Sequence, residues 1–381
     1  MYFSVFSIYA VTNPYLPVLL RGLGYSPSAV GVLMGIFEGA GILGPFIFSY
    51  FTDRWGRYKP SITITYILII ISAYPLIAFN HFLFSAVFIS LLSIGLKTAP
   101  SLLDAVITIQ LGQTGGDYGK VRAAGSLGFI VFALLLQWTR YRQPGTPENI
   151  AFWIGVTAVF GMVAMLILLK EIKGEGLPQA AAFDSSRTIP VGKTWNPVFL
   201  LGIVMIAFGR FALSPAVTFL SLFVLEELKS ETVGLIWAVS TMAEMPMMFF
   251  SNKIMKRFSA FSLLAVSSLA VGIRLGCYVL FPSLSGVIAG QLLHSLCFGI
   301  FHPAAVRFVT DYVPPERRAM GMSIYISLGT GLPTFLGNTL GGFVLEQFGY
   351  RVLFISYIPF AVISLILYFL LRPYVNKPVL R

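Results

Sequence analysis

Charge is scarce in this sequence. Of 381 residues, 11% are Asp, Glu, Lys or Arg, against roughly one quarter in soluble domains. Hydrophobic residues make up 57%, and no soluble fold has enough interior to hide that much apolar side chain. Histidine occurs three times and cysteine twice. Cys277 and Cys297 both fall inside apolar runs, without metal-ligand spacing or a disulfide framework. Long polar stretches are missing too, which leaves no room for a sizeable soluble domain. The start, Met1 to Leu20, has neither a basic leading region nor a small-residue cleavage pattern, so it reads as a first span and not as a cleaved signal peptide.

What the chain has is apolar runs of membrane length, about 20 residues per crossing. They lie near 1–20, 28–51, 60–79, 82–111, 121–139 and 149–169, and again near 196–224, 230–251, 259–281, 284–311, 319–343 and 350–371. A polar stretch rich in Gly, Pro, Ser and charge separates the two sets. The expected fold is an all-α integral membrane protein of twelve transmembrane helices in two pseudo-symmetric six-helix bundles. Residues 1–170 form the first bundle, 171–195 a cytoplasmic linker, and 196–381 the second.

The net charge of +11 reflects Lys and Arg clustered in short loops between spans, a membrane pattern and not a nucleic-acid face. Sixteen basic residues fall in the loops of one side and five in those of the other, so both termini and the central loop are expected in the cytoplasm. The halves also echo each other. Ser28-Ala29-Val30-Gly31 opens the second span and Glu231-Thr232-Val233-Gly234 the eighth, while Arg122-Ala123-Ala124-Gly125 recurs as Arg318-Ala319-Met320-Gly321. Parallel repeats of this kind place a substrate site at their interface, near the bilayer midplane.

An unpaired charge at a helix centre costs roughly 2.5–3.5 kcal/mol on insertion scales, so ionisable groups within spans are functional candidates. Here they are Glu38, Lys97, Asp104, Arg122, Arg210, Glu244, Arg274, His294, His302 and Arg307. Cations outnumber carboxylates, so neutrality calls for a substrate anion or neutral histidines. Lys97 and Asp104 lie about two turns apart, roughly 10 Å, and each needs a partner on another helix. Asp104 and Arg122, on adjacent spans, suit a clamp on a hydroxylated or carboxylated ligand; a structural interhelical ion pair has the same signature. His294 and His302 should sit about 80° apart round one helix and about 12 Å along it. Histidine titrates near physiological pH, as a proton relay requires, and buried packing histidines look the same in sequence.

The turn Asp53-Arg54-Trp55-Gly56-Arg57-Tyr58-Lys59 resembles the cytoplasmic gating loop of the major facilitator superfamily, with Ser49 where that signature has its leading glycine. Asp104, the run Tyr118 to Phe129, Ala243-Glu244-Met245-Pro246 and His294 to His302 resemble the branch that holds the lactose permease and the phenylpropionate permeases. The resemblance spans essentially the whole chain. It implies that Asp104, Arg122 and Phe129 line the substrate cavity, Phe129 replacing a tryptophan. It implies as well that Glu244, Arg274 and His294 belong to a network coupling solute to protons. Lactose permease carries a glutamate three residues after the histidine matched by His294; this chain has Cys297. The two histidines look more like the phenylpropionate side of the branch, which implies a small aromatic acid as one cargo.

The resulting expectation is a secondary transporter in the cell's inner membrane, functioning as a monomer by alternating access. It would be a proton-coupled symporter of a small organic solute, an aromatic acid or a sugar, needing no cofactor beyond the proton gradient. Lys97 and Arg210 join the expected substrate contacts, and His302 the proton-coupling set. An uncoupled facilitator or exporter is the alternative. A membrane-embedded enzyme would require clustered His, Asp or Glu with metal-ligand or nucleophile spacing, and a sensor would add a soluble domain.

Overall fold

The structure is a computed structural model that describes residues 1–55, 57–79, 81–114, 118–139, 141–169 and 195–375. The polar linker lies outside these residues, apart from Trp195. So do Gly56 and the side chains of Asp53 and Arg54 in the turn between the second and third spans; Arg57, at the far side of that turn, is exposed.

The described residues fold into helices. The first six spans are α1 (Tyr2–Gly22), α2 (Pro27–Trp55), α3 (Tyr58–Ala78), α4 (Phe82–Thr114), α5 (Tyr118–Trp138) and α6 (Pro147–Leu168). Then come α7 (Pro197–Glu227), α8 (Val233–Arg257), α9 (Ala260–Leu280) and α10 (Leu284–Tyr312). The last apolar stretch, Met320–Tyr374, runs for 55 residues. A straight helix of that length would extend about 80 Å, far beyond the roughly 30 Å hydrocarbon core. It breaks at Gly349, whose φ of 77° and ψ of 177° no helix contains and which glycine adopts without steric cost. Residues 318–348 are therefore α11 and 350–375 are α12, which makes twelve crossings.

Helix starts follow local chemistry. Thr146 and Asn196 cap α6 and α7 through their side-chain oxygens, each followed by proline in the first turn, and Ser259 and Ser283 do the same for α9 and α10. The less regular backbone is concentrated in the second half. Three π-helical turns interrupt α7 (Phe223–Glu227), α10 (Ser295–Gly299) and α11 (Tyr325–Gly331), and such turns are frequent at functional sites.

Across the interface between halves, α2 packs on α11 and α8 packs on α5. These two pairings are each other's repeat equivalents, and the echoed glycines make both of them. A side chain at Gly31 would collide with the Asn338 carbonyl and the Gly342 backbone, and one at Gly234 with the Ala133 carbonyl. Small residues let helix backbones approach closely in membranes.

The hydrogen bonds that join the halves cluster at the end of the bundle opposite the chain termini. Arg21 Nε donates to Glu226 Oε1 at 2.9 Å, and the Ser28 amide to Glu346 Oε2 at 2.9 Å. Gln137 bridges α5 to the start of α8, donating to the Glu231 carbonyl (3.0 Å) and accepting from the Leu235 amide (3.2 Å). Toward the other end, α4 carries a stripe of Lys97, Ser101, Asp104 and Thr108, with Ser101 and Thr108 exposed. Helical spacing puts them on one face, and a polar stripe of this length belongs against a water-filled cleft and not against lipid.

Replacing both glycines, Gly31→Leu with Gly234→Leu, should hold the closed end apart. Spin labels at Thr139 and Ser230 are expected to report a separation several ångströms longer than in the parent. An unchanged distance distribution would show that these contacts do not set the closure.

Candidate functional site

In the first half, α2, α4, α5 and α1 bring the charged candidates together in pairs. Lys97 on α4 forms an ion pair with Glu38 on α2, its ammonium 5.1 Å from the Phe37 ring. Asp104 accepts from the Tyr2 hydroxyl on α1 and from Arg122 Nη1 on α5 at 3.2 Å. The Arg122 guanidinium also lies 5.3 Å from the Tyr2 ring and 5.0 Å from the Phe6 ring. Lys97 and Asp104 thus find their partners on other helices, as their spacing requires. Phe129 sits lower in α5, 5% exposed and packed in the apolar core. The rings that touch Arg122 come instead from α1, a contact that nothing in the spacing of α5 announces.

In the second half the hub is Arg274 on α9, 1% exposed. Its guanidinium donates to the Tyr278 hydroxyl (2.8 Å), the Ala216 carbonyl of α7 (3.4 Å) and Gln291 Oε1, and meets His294 Nδ1 at 3.0 Å. Gln291 in turn donates to the Ile236 carbonyl of α8 (3.3 Å). Four helices therefore meet at one cation. An arginine only donates, so His294 Nδ1 must accept, which leaves the proton of the neutral ring on Nε2. That nitrogen stands 3.6 Å from Glu244 Oε2, too long for a hydrogen bond but within ion-pair reach. His294 thus stands between Arg274 and Glu244.

The spacing of His294 and His302 also needs correction, because it assumes an unbroken α-helix. The π-turn Ser295–Gly299 lies between them, and its i→i+5 bonds turn the chain less per residue. As a result the His294 ring stacks on Phe298 (4.9 Å, 17°), and Phe298 meets His302 edge-on (5.4 Å, 63°). His302 opens to the cleft. Cys297, inside the same turn, is fully buried.

Arg210 on α7 completes the set. Its guanidinium lies 4.7 Å from the Phe298 ring and 5.0 Å from the Phe301 ring. The two halves face one another electrostatically as well, since Arg122 interacts through space with Glu244 and His302, and Glu38 with Arg210. The first half therefore presents two ion pairs, and the second a carboxylate facing a histidine and a guanidinium whose Nε and Nη1 have no hydrogen-bond partner among the described residues.

Residues 1–356 match the MFS_1 like family. The chain belongs to that major facilitator family. Among curated relatives, the Probable 3-phenylpropionic acid transporter of Escherichia coli is 23% identical over 365 residues, covering 93% of this chain and 92% of the relative. Maltose permease of Geobacillus stearothermophilus is 23% identical over 369 residues, covering 93% and 89%. Among solved structures, a mutant of the nucleoside transporter NupG superposes with a TM-score of 0.82 at 16% identity, covering 98% of this chain and 97% of that one. A POT family transporter in complex with 5-aminolevulinic acid gives 0.72 at 12% identity, covering 99% and 95%. The facilitator is thus a multi-pass membrane transporter with the all-α fold of this superfamily, and not an enzyme.

Because four helices meet at Arg274, its loss should be felt throughout the second half. Removing one member of a buried charged network typically costs ~3–5 kcal/mol. Arg274→Ala is expected to lower the unfolding free energy of the detergent-purified facilitator by an amount of that order, read as a fall in its thermal unfolding midpoint. A loss below ~1 kcal/mol, within the range of an ordinary surface pair, would show that Arg274 is not the hub.

Proposed function

We propose that the facilitator is a proton-coupled symporter of a small organic solute, bound in the cleft between Asp104–Arg122 on one wall and Arg210 on the other. The supporting observation is the series Glu244, His294 and Arg274, with the Glu244 carboxylate on α8 facing His294 Nε2 on α10 at 3.6 Å and His294 Nδ1 bonded to Arg274. With Nε2–H of His294 aimed at it, ionised Glu244 is attracted to α10. Protonated Glu244 has lost that attraction. Proton occupancy thus changes how α8 and α10 hold together, the differential contact that a conformational shift requires.

In this reading the conformation described is closed at the end held by Arg21–Glu226 and Gln137, and open at the end that carries the termini. Both termini face the cytoplasm of a bacterial cell, in its inner membrane, and a single copy suffices. The gating turn of Asp53, Arg54, Gly56 and Arg57 follows α2 in the sequence, and in this reading it would close the open end in the alternate state. Relatives named for 3-phenylpropionic acid and for maltose support a cargo the size of an aromatic acid or a sugar.

Uptake into proteoliposomes tests the coupling. An inwardly directed proton gradient should drive the solute above its external concentration. Glu244→Gln should abolish that accumulation, yet retain exchange of solute across the membrane at a rate within about an order of magnitude of the parent. Flux indifferent to a proton gradient would leave an uncoupled facilitator. Glu244→Gln that still accumulates solute would remove this residue from the coupling.

A further inference from the structure

The charges inside the spans do not balance. Lys97 is paired with Glu38 and Arg122 with Asp104, and Arg307 stands 3.6 Å from Asp311. Arg274 is bonded to Tyr278, Gln291, His294 and a carbonyl, with Glu244 beyond the histidine. Arg210 differs. Its Nε and Nη1 are buried, and among the described residues neither has a hydrogen-bond partner. Among the described residues one aromatic hydroxyl is in the same condition, Tyr325 Oη on α11, and its ring lies 6.5 Å from that of Phe301, the ring that also meets the Arg210 guanidinium.

A buried donor left unmade costs about 1–3 kcal/mol, and more when it is charged. Guanidinium donors and a phenolic hydroxyl gathered around Phe301 are therefore expensive unless something else completes them. The surroundings hold them in place. Phe298 and Phe301 pack against the guanidinium, which suits cation–π attraction and leaves the edge that carries the N–H groups to engage a ligand. Phe298 lies in the π-turn of α10, and Tyr325 opens the π-turn of α11, so two backbone irregularities converge on this one cation. Glu38 of the opposite wall is within electrostatic reach but is already occupied by Lys97.

We propose that Arg210 and the Tyr325 hydroxyl form the docking site for a carboxylate, so that the solute carried is a small organic monoanion. A planar carboxylate matches the fork of a guanidinium, and it can accept a third bond from Tyr325. One negative charge would neutralise the Arg210 guanidinium, whose Nε and Nη1 have no hydrogen-bond partner among the described residues. The inference rests on the transport reading above and narrows its cargo from a small organic solute to a carboxylate; a neutral sugar would leave Arg210 uncompensated.

The test uses the full chain with acetate, benzoate and 3-phenylpropanoate, each beside its uncharged amide, together with chloride and maltose. Thermal stabilisation in detergent and uptake into proteoliposomes are measured for the parent, Arg210→Gln, Arg210→Lys and Tyr325→Phe. At least one carboxylate is expected to bind and be carried while its amide does neither. Arg210→Gln should weaken its binding by about tenfold or more, Tyr325→Phe by less, and Arg210→Lys should recover part of the loss. Tyr325→Phe keeps the ring and so reads the hydroxyl alone, should Arg210→Gln prove unstable.

Equal binding of acid and amide would overturn the site, as would parental carboxylate affinity in both Arg210→Gln and Tyr325→Phe. So would an Arg210-dependent response to chloride with no carboxylate taken up. Maltose uptake driven by a proton gradient and unchanged in Arg210→Gln would overturn the carboxylate assignment and leave symport standing. Arg210-dependent carboxylate uptake that ignores the proton gradient would do the reverse.

Discussion

An ionised side chain inside a membrane must be paired or must face water, and the whole interior of this facilitator is arranged around that constraint. Insertion scales put the cost of a central charge at roughly 2.5–3.5 kcal/mol, and the described spans carry several. Glu38 with Lys97, and Asp104 with Arg122, are solved as pairs across neighbouring helices. Arg274 is solved by four hydrogen bonds to neutral groups. What is left over in the second half, Arg210 and the Glu244 carboxylate that faces His294, is where ligand and proton enter the account.

The same arrangement explains how the helices are held. Each half is tied internally by its own charges, the first through Asp104 to α1 and α5, the second through Arg274 to α7, α10 and, by way of Gln291, α8. Between the halves the contacts described are of another kind: close glycine approaches and hydrogen bonds at one end. Rigid halves with a separable interface suit rocking motion about a central site. Repeat-equivalent helices meet at that interface, so the closed end is made by the same structural device twice, once at Gly31 and once at Gly234.

Much of the fold was legible in the sequence because it follows from solvent. Apolar runs of membrane length set the spans, and the echo of Ser28–Gly31 in Glu231–Gly234 marked the pair of glycines that pack across the interface. Lys97 and Asp104, seven residues apart, announced that each needed a partner on another helix. The partners themselves were less legible. Tyr2 lies in an apolar run with no polar neighbour to mark it, and Gln291 and Tyr325 are ordinary span residues until the tertiary fold brings Arg274 and Arg210 to them. The π-turns were invisible for a related reason. No period in the sequence encodes one extra residue in a turn, so His294 and His302 were placed by an α-helical spacing that the backbone does not keep.

Proton and anion act on separate groups of the second half in this account, one neutralising Glu244 and the other Arg210, so one of each should cross together without net charge. Lumenal pH and membrane current can be followed in the same proteoliposomes after an outside addition of a transported carboxylate, against protein-free liposomes. The account predicts lumenal acidification that depends on the protein, accompanied by no sustained current. A solute-driven negative inward charge movement with lumenal pH unchanged would contradict it.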